Sequence, residues 1–225
     1  PLTDKHVTQA VVTIIKAEKA SGIAPAPAWD GTWKLNTLYQ ADVTSTEWLA
    51  SLPEGKVDFI VTDPPWRPDA DGKSYALYEA VSTIADKVLK PGGFCAVYLG
   101  KLDLPHLLNV LMAKMEYVWC MAAYYPKGNQ SFRKTQFKEC WRPIGIFRKP
   151  GGPPSQTMYF PDAMESPIDK TYHEWQQGLG PIRVLIEKYT APGQVVMEPY
   201  MGGGTTIVAA ETMESGRRNW IAFDK

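Results

Sequence analysis

The stretch VDFIVTDPPW, residues 57–66, decides how the rest of the chain is interpreted. Its first six residues are apolar or β-branched apart from one aspartate, a composition typical of a short strand buried in a sheet. An acid, two prolines and a tryptophan follow that strand directly, and helical patterns flank it over residues 45–52 and 75–89. Strands that alternate with helices predict an α/β fold, with a mostly parallel sheet covered by helices on both faces.

The alternation continues along the chain and predicts one domain. Residues 1–28 are expected to form an N-terminal helix (3–20) and a linker, and residues 29–225 a single domain. The predicted strands are 35–40, 57–62, 94–99, 117–125, 140–149, 194–197 and 219–223. The predicted helices after the linker are 45–52, 75–89, 104–115, 180–189 and 205–215.

Composition excludes several classes of protein. The chain has 225 residues, 44% of them apolar, with 24 Lys+Arg balanced by 24 Asp+Glu, as in ordinary globular domains. No apolar stretch reaches the roughly 20 residues that span a bilayer, so no membrane association is expected. The chain starts at Pro1 and stops just after a strand-like run, so we expect a domain excised from a longer protein.

The three cysteines predict free thiols in a reducing compartment such as the cytoplasm. They are odd in number and widely spaced, at Cys95, Cys120 and Cys140, in mostly apolar surroundings. The sequence contains no CxxC pair, and its three histidines are scattered, so no metal site is expected.

The tetrapeptide Asp63-Pro64-Pro65-Trp66 stands where ligands bind in such folds, at the carboxyl end of a strand. Two prolines fix the backbone and remove N–H donors, which leaves carbonyl oxygens as acceptors beside the Asp63 carboxylate. Acceptors followed by an aromatic face suit a planar ring that carries an amino group. A proline-rich turn with a packed tryptophan is the purely structural alternative.

A second motif, EPYMGGGTT (residues 198–206), joins a predicted strand to a predicted helix. A glycine-rich turn in that position lets a ligand approach the backbone closely. The motif lacks the lysine of a P-loop and the GxGxxG spacing of a dinucleotide site. Asp224 ends the next strand, 20 residues past Gly204, where an acid reaches a ribose in such folds.

Together the two motifs resemble the S-adenosylmethionine-dependent amino-methyltransferases that act on DNA bases, in the permuted order with the catalytic tetrapeptide first. The resemblance runs from about residue 34 to 225 and includes YQAD (39–42), VLKPGG (88–93), HEWQQ (173–177) and PGQVVMEPYMGGGTT (192–206). It implies a Rossmann-like, seven-stranded methyltransferase sheet whose last hairpin is antiparallel. Two residues depart from the family pattern, since Glu198 replaces the usual aspartate and Trp66 the commoner tyrosine.

The resemblance also implies roles for individual residues. Asp63, Pro64, Pro65 and Trp66 would bind the amino group of a flipped base, and an ionised Asp63 would act as acceptor and electrostatic partner. S-adenosylmethionine would be held by the following residues: Asp42, Trp175, Gln177, Glu198, Pro199, Tyr200, Gly202, Gly203, Gly204, Thr205, Thr206 and Asp224. For Asp42 a helix N-cap remains an equal alternative, and for Trp175 packing in the core.

A basic stretch offers a place for DNA. Between residues 127 and 149 there are seven basic residues and one acid, a local balance of +6 in a chain with no net charge. Phosphate contacts are expected from Lys127, Arg133, Lys134, Lys138 and Arg142. This stretch falls in a short target-contacting insertion near residues 126–175, and a solvated charged loop is the alternative. The insertion is short for reading sequence, so a partner or missing domain is expected to assist.

The function implied is transfer of a methyl group to the N6 amino group of adenine in DNA, in a prokaryotic or phage-encoded enzyme such as a restriction-modification companion. Cytosine N4 is the nearest alternative, because the same acceptors suit its amino group; aspartate rather than serine at position 63 favours adenine. An RNA adenine methyltransferase and a catalytically silent nucleic-acid-binding subunit also remain open.

Overall fold

A computed structural model describes residues 26–65, 73–128, 131–132, 135–153, 159–167 and 177–224. The ten strands are β1 (Thr37–Gln40), β2 (Val57–Thr62), β3 (Leu89–Tyr98), β4 (Glu116–Tyr124), β5 (Ser131–Phe132), β6 (Phe137–Lys138), β7 (Trp141–Arg148), β8 (Ala163–Glu165), β9 (Val195–Glu198) and β10 (Asn219–Asp224). Within the same ranges the helices are α1 (Thr46–Ser51), α2 (Lys73–Val88), α3 (Leu104–Met112), α4 (Leu179–Tyr189) and α5 (Thr205–Glu211). The helix expected at 3–20 lies outside the described residues.

Eight of these strands form one sheet in the order β1-β10-β9-β2-β3-β7-β4-β8, and β5 pairs with β6 as a separate hairpin. Strands β1, β10, β9, β2 and β3 run parallel, β7 is antiparallel to both β3 and β4, and β8 is parallel to β4. The α/β fold with a mostly parallel sheet is therefore confirmed. The antiparallel hairpin, β4 and β7, lies in the middle of the chain, whereas the final strands β9 and β10 are parallel.

Helices cover both faces of this sheet. On α2 the side chains of Tyr78, Val81, Ala85 and Val88 repeat at helical spacing and are fully buried in the cluster that also contains α3. Helices α4 and α5 pack together on the opposite face. Each large aliphatic side chain buried in this way stabilises the fold by about 1.5–3 kcal/mol, which holds the strand ends in fixed positions.

Two details differ from the expectations. The sheet has eight strands rather than seven, because the short strand β8 pairs with residues 122–124 at the edge of β4. Strand β3 begins at Leu89, before the Pro91-Gly92-Gly93 turn expected to precede it. Leu89 pairs with Val57 and Phe94 with Phe59, so the turn is an irregularity inside the strand rather than a break before it.

The topology places a crevice between β2 and β9. These neighbours continue in opposite directions, β2 towards β3 and β9 towards β10, and ligands bind outside the carboxyl ends of strands at such a switch point. Among the described residues, no helix is long and apolar enough to cross a membrane.

Candidate active site

Four of the predicted segments meet at one edge of the sheet. Asp63 follows β2, the glycine-rich loop follows β9, Asp224 ends β10, and Asp42 follows β1. The order β2-β9-β10-β1 makes these strands consecutive neighbours, and all four run parallel. Segments far apart in the sequence therefore line one continuous edge.

The two carboxylate oxygens of Asp63 have different surroundings. Oδ2 accepts a short hydrogen bond from Nε2 of Gln177 and lies 3.9 Å from Nη1 of Arg142. Oδ1 is buried and has no hydrogen-bond partner among the described residues. The side chain as a whole is 23% exposed, so the carboxylate lies just below the surface of the crevice. The protein therefore holds the carboxylate through Oδ2, while Oδ1 is an acceptor without a partner among the described residues.

Burial raises the pKa of Asp63 above its ordinary value of 3.8, and the negative charge of Glu139 adds to the rise. The positive charge of Arg142 and the hydrogen bond from Gln177 act in the opposite direction. An acid that is desolvated and also supported by a cation is typical of functional sites. The pKa of this carboxyl thus depends on its neighbours, which the sequence-based expectation of an ionised Asp63 did not include.

The residues around Asp63 form a buried polar shell. The hydroxyl of Tyr125 donates to Oε1 of Gln177 at 3.4 Å, and that of Tyr78 to the carbonyl of Tyr98 at 3.3 Å. The hydroxyl of Tyr98 is buried without a partner among the described residues. Sequence reasoning missed all three tyrosines. Tyr98 had a detectable signal, because it stands near the end of a predicted buried strand, beside the strand that carries Asp63.

Arg142 differs from the expectation, which placed it among exposed phosphate contacts. Its side chain is 7% exposed and lies 3.5 Å from Oε2 of Glu139, with Asp63 on its other side. The reason is its place in the sheet: Trp141 at the start of β7 is exposed, whereas Arg142 begins a run of six buried residues in a strand that lies between β3 and β4. Arg142 is part of the buried shell of the candidate active site.

Glu198, at the end of β9, supports the glycine-rich loop from inside. Oε1 accepts from the backbone N–H of Tyr200 at 3.1 Å, and Oε2 accepts from the hydroxyl of Thr206 at 2.8 Å. Burial raises the pKa of Glu198 to about 8, although the Thr62 and Thr206 hydroxyls and the Tyr200 N–H lower it. Both oxygens thus bind the loop itself, and the longer glutamate reaches from one end of the loop to the other.

The turn of the glycine-rich loop is formed by glycines, so its backbone is not covered by side chains of its own. Gly202 and Gly204 have φ values of 51° and 74°, in the left-handed region that favours glycine, and α5 begins directly afterwards. The hydroxyl of Tyr200 donates to the carbonyl of Leu77 at 3.1 Å and so ties the loop to α2. The remaining predicted members of the loop are the buried Pro199, the partly buried Gly203 and Thr205, and the buried Thr206.

The two acids at the far strands occupy different settings. Oδ1 of Asp42 accepts from the backbone N–H and the hydroxyl of Thr44, at 3.0 and 2.6 Å, so its carboxylate closes the turn after β1. The N-cap of α1 is Ser45, whose hydroxyl oxygen accepts from the N–H of Trp48. Asp224 is partly buried and pairs with Gln40 in the β1–β10 register.

The other predicted site residues are divided between two regions. Pro64 is buried and Pro65 exposed at the mouth of the crevice, while Gln177 contacts Asp63. Lys127 is exposed in the turn after β4 and Lys138 on β6, and the Lys138 side chain lies over Gly128, where a Cβ atom would collide with it. The following predictions fall outside the described residues: Trp66, Arg133, Lys134 and Trp175.

The crevice suits a ligand that carries positive groups and a ribose. Carboxylates stand on both sides of a bare glycine turn, and the buried Oδ1 of Asp63 and hydroxyl of Tyr98 have unused hydrogen-bonding capacity in the described structure. S-adenosylmethionine, with an ammonium, a sulfonium and a ribose, fits this donor and acceptor set. Nowhere in the described ranges do three His, Cys, Asp or Glu side chains group to hold a metal ion.

Comparisons with known proteins agree with this fit. The chain matches the methyltransferase small-domain family over residues 12–125 and the DNA methylase family, N6_N4_Mtase, over residues 124–225. YubD of Escherichia coli (strain K12), named as a methylase, is 25% identical over 185 residues, which cover 76% of this chain and 77% of YubD.

Solved structures share the fold. The PvuII DNA methyltransferase, described as cytosine-N4-specific, has a TM-score of 0.69 at 18% identity, covering 88% of this chain and 85% of its own. The complex of M1.HpyAVI with S-adenosylmethionine has a TM-score of 0.62 at 20% identity, covering 84% and 92%. The methyltransferase small-domain model matches half of the chain, so the chain belongs to that methyltransferase family, and its second half, residues 124–225, is similar to the S-adenosylmethionine-dependent DNA amino-methyltransferases that the DNA methylase model describes.

Proposed function

We propose that this enzyme methylates the N6 amino group of an adenine that has been flipped out of DNA. The observation that carries the proposal is the half-engaged carboxylate of Asp63: Oδ2 is held, while the buried Oδ1 has no partner among the described residues. An exocyclic amino group supplies the N–H donor that such an oxygen lacks. The carbonyl of Pro64, next in the chain, would accept the second N–H.

The chain's own groups would prepare the amino nitrogen for attack. Its lone pair is normally delocalised into the ring, and hydrogen bonds from both N–H groups favour a pyramidal nitrogen with a localised pair. S-adenosylmethionine, held by the glycine-rich loop and Asp224, would supply an electrophilic methyl group to that nitrogen, and its sulfur would keep the electron pair of the broken carbon–sulfur bond. The nitrogen becomes cationic, which the Asp63 carboxylate stabilises, and it then loses a proton to solvent.

Adenine is favoured over cytosine by the residue at the head of the tetrapeptide, which is aspartate rather than serine. The alternative, cytosine N4, presents a similar amino group, and the PvuII enzyme with this fold is described as cytosine-N4-specific. A structural likeness at 18% identity concerns the fold alone and does not choose between the bases. The flipped base would stack on Trp66.

DNA would approach over the β5–β6 hairpin and the turn before it, which join β4 to β7 in the chain. Lys127 and Lys138 are exposed there, Phe137 is 75% exposed, and Nζ of Lys101 lies 4.3 Å from the centre of the exposed Trp141 ring. Exposed cations beside aromatic side chains suit contacts with a nucleic-acid backbone and bases. Arg133 and Lys134 would add to this surface, RNA being the less favoured substrate, and the enzyme would act in the cytoplasm.

The decisive experiment identifies the product. The chain is incubated with methyl-labelled S-adenosylmethionine and either DNA or RNA, the polymer is digested to nucleosides, and the labelled nucleoside is identified. N6-methyldeoxyadenosine is expected. Label in N4-methyldeoxycytidine, or in RNA alone, would contradict the proposal, and no label in any polymer would favour the silent nucleic-acid-binding subunit.

A variant tests the residue that carries the argument. Asp63→Ala is expected to reduce methyl transfer by about 10²–10³-fold, the magnitude typical of losing one preorganised electrostatic group. Binding of S-adenosylmethionine, measured by calorimetry, should persist. A variant that methylates at the normal rate would show that Asp63 has no such role.

A further inference from the structure

The two halves of the Asp63 carboxylate are treated differently by the protein. The hydrogen bond and the ion pair of the carboxylate among the described residues both fall on Oδ2, from the Gln177 amide and, at 3.9 Å, from the Arg142 guanidinium. Oδ1 is buried and has no hydrogen-bond partner there. One hydrogen bond and one ion pair on the same oxygen favour a single rotation of the carboxylate, which sets the direction of its second acceptor.

The Gln177 amide and the Arg142 guanidinium are themselves held in place. The Gln177 amide accepts through Oε1 from the Tyr125 hydroxyl at 3.4 Å, which orients Nε2 towards Asp63. The Arg142 guanidinium lies 3.5 Å from Glu139 on one side and 6.0 Å from the centre of the Tyr125 ring. It is 7% exposed, so it cannot turn away into solvent. A chain of oriented groups thus runs from β7 to the catalytic strand.

We propose that Arg142 and Gln177 are positioning residues that fix Oδ2 of Asp63 and so direct Oδ1 at the amino group of the target base. This inference rests on the proposed function, because it assigns Asp63 to that amino group. Neither residue touches the base in this scheme. The positive charge of Arg142 also lowers the pKa of Asp63 against the rise caused by burial, and the negative charge of Glu139 acts in the opposite direction.

Two substitutions are expected to shift the pKa of Asp63 in opposite directions. The charged or titratable groups around Asp63 come from several elements: Tyr78 on α2, Tyr98 on β3, Tyr125 after β4, Glu139 and Arg142 at β7, and Glu198 on β9. Among them only Arg142 carries a positive charge at neutral pH. Removing that charge should raise the pKa of Asp63, and removing the negative charge of Glu139 should lower it.

The test is the pH dependence of methyl transfer, measured as kcat from pH 5 to 9. Arg142→Gln is expected to lower kcat about tenfold at neutral pH and to move the acid limb of the profile to higher pH. Glu139→Gln should move that limb to lower pH. Arg142→Lys should restore part of the wild-type profile, and Gln177→Met should move the limb in the same direction as Arg142→Gln but less, because it removes a neutral donor.

A second readout does not depend on activity. In the cofactor-free chain labelled with carbon-13 aspartate, the carboxyl resonance of Asp63, assigned by its loss in Asp63→Asn, is titrated directly. The same order of midpoints is expected: highest for Arg142→Gln, then wild type, then Glu139→Gln. Arg148→Gln is the matched control on the same strand, since Arg148 pairs with Glu116 away from Asp63 and its loss should leave both readouts unchanged.

The outcomes separate this inference from the proposed function. A wild-type chain that makes no N6-methyldeoxyadenosine, or an Asp63→Ala variant that is fully active, contradicts the proposed function. A wild-type chain that methylates adenine while Arg142→Gln and Glu139→Gln leave the limb in place, or move it the same way, overturns the positioning role. Should Arg142→Gln fail to fold, the Glu139→Gln and Gln177→Met profiles give the same decision.

Discussion

Strand β2 carries an aspartate near each end, and the protein treats the two in opposite ways. Asp58, at the amino end, accepts from Nζ of Lys90 at 2.6 Å and Nε2 of Gln194 at 3.0 Å on Oδ1, and from the backbone N–H of Val195 at 2.9 Å on Oδ2. Asp63, just past the carboxyl end, has donors on Oδ2 only. One carboxylate is saturated within the fold, and the other keeps an acceptor unused in the described structure.

This difference distinguishes Asp58, whose carboxylate is used by the fold, from Asp63, which we propose to act in methyl transfer. A saturated carboxylate gains its partners on folding, so its removal affects stability. A buried oxygen without a partner costs free energy in the folded chain and is retained where a ligand can supply the missing donor. Asp58 joins β2, β3 and β9 at one edge of the sheet, and Asp63 faces the crevice at the other.

The largest expected effect comes from removing the negative charge of Asp63. Asp63→Asn keeps the size of the side chain and removes its charge, so methyl transfer should fall by about 10²–10³-fold, while the free energy of unfolding changes little or rises. Asp58→Asn is the control on the same strand and should retain the specific activity of the folded fraction. Equal activity losses in the two variants would contradict the distinction drawn between them.

The next effect in size is on stability, and it belongs to Asp58. Asp58→Ala leaves a lysine, an amide and a backbone N–H without their acceptor, and should lower the free energy of unfolding by about 2–4 kcal/mol in urea titrations. Asp86→Ala is the control: Asp86 lies 3.7 Å from Lys114 with both side chains 44% exposed, and such surface pairs contribute about 0–1 kcal/mol. A loss no larger than that of the control would show that Asp58 does not brace the sheet.

The sequence predicted which strand ends share one edge of the sheet, because the signals for those strands are local. Strand β2 has the predicted bounds, 57–62, and the motifs after β2 and β9 meet at the edge that parallel strands share. Each of these inferences needs only the apolar pattern of one strand and the few residues that follow it. The same reasoning could not find β8, a three-residue strand that exists only because an exposed edge of β4 accepts it.

Residues that act through contacts distant in the sequence were assigned less well. Arg142 is one of seven basic residues in its stretch, and nothing local distinguishes this buried residue from the exposed Lys127 and Lys138. Its position depends on the register of β7 between β3 and β4, and its partner Asp63 lies on another strand. Gln177 was assigned to the cofactor, and its contact with Asp63 spans 114 residues of sequence. Such pairs are set by topology rather than by local pattern.

A third carboxylate extends the comparison, because Glu198 is saturated like Asp58 but carries a raised pKa of about 8 against an ordinary value of 4.5. The folded state then holds a proton that the unfolded state has lost, so Glu198 makes stability fall as pH rises from 4.5 to 8 and level off above it. Glu198→Gln removes this dependence. The free energy of unfolding of the variant minus that of wild type should therefore increase by on the order of 1–3 kcal/mol as the pH is raised from 5 to 8.5. The measurement is urea unfolding of the cofactor-free chains, and a difference that does not vary with pH would exclude a buried neutral carboxyl.

The smallest expected effect concerns cations rather than acids, and it contrasts the exposed Lys138 with the buried Arg142. A lysine that contacts a phosphate contributes mainly through released counterions, so Lys138→Ala should weaken DNA binding by about 2–5-fold and reduce the slope of log affinity against log salt by about 1. Lys56→Ala is the control, because Lys56 is exposed just before β2, at the opposite edge of the sheet. The affinity is measured by fluorescence anisotropy at several salt concentrations with unrelated duplexes. A loss that appears with one sequence only would mean that Lys138 reads a base, and an unchanged salt slope would move the DNA surface away from the β5–β6 hairpin.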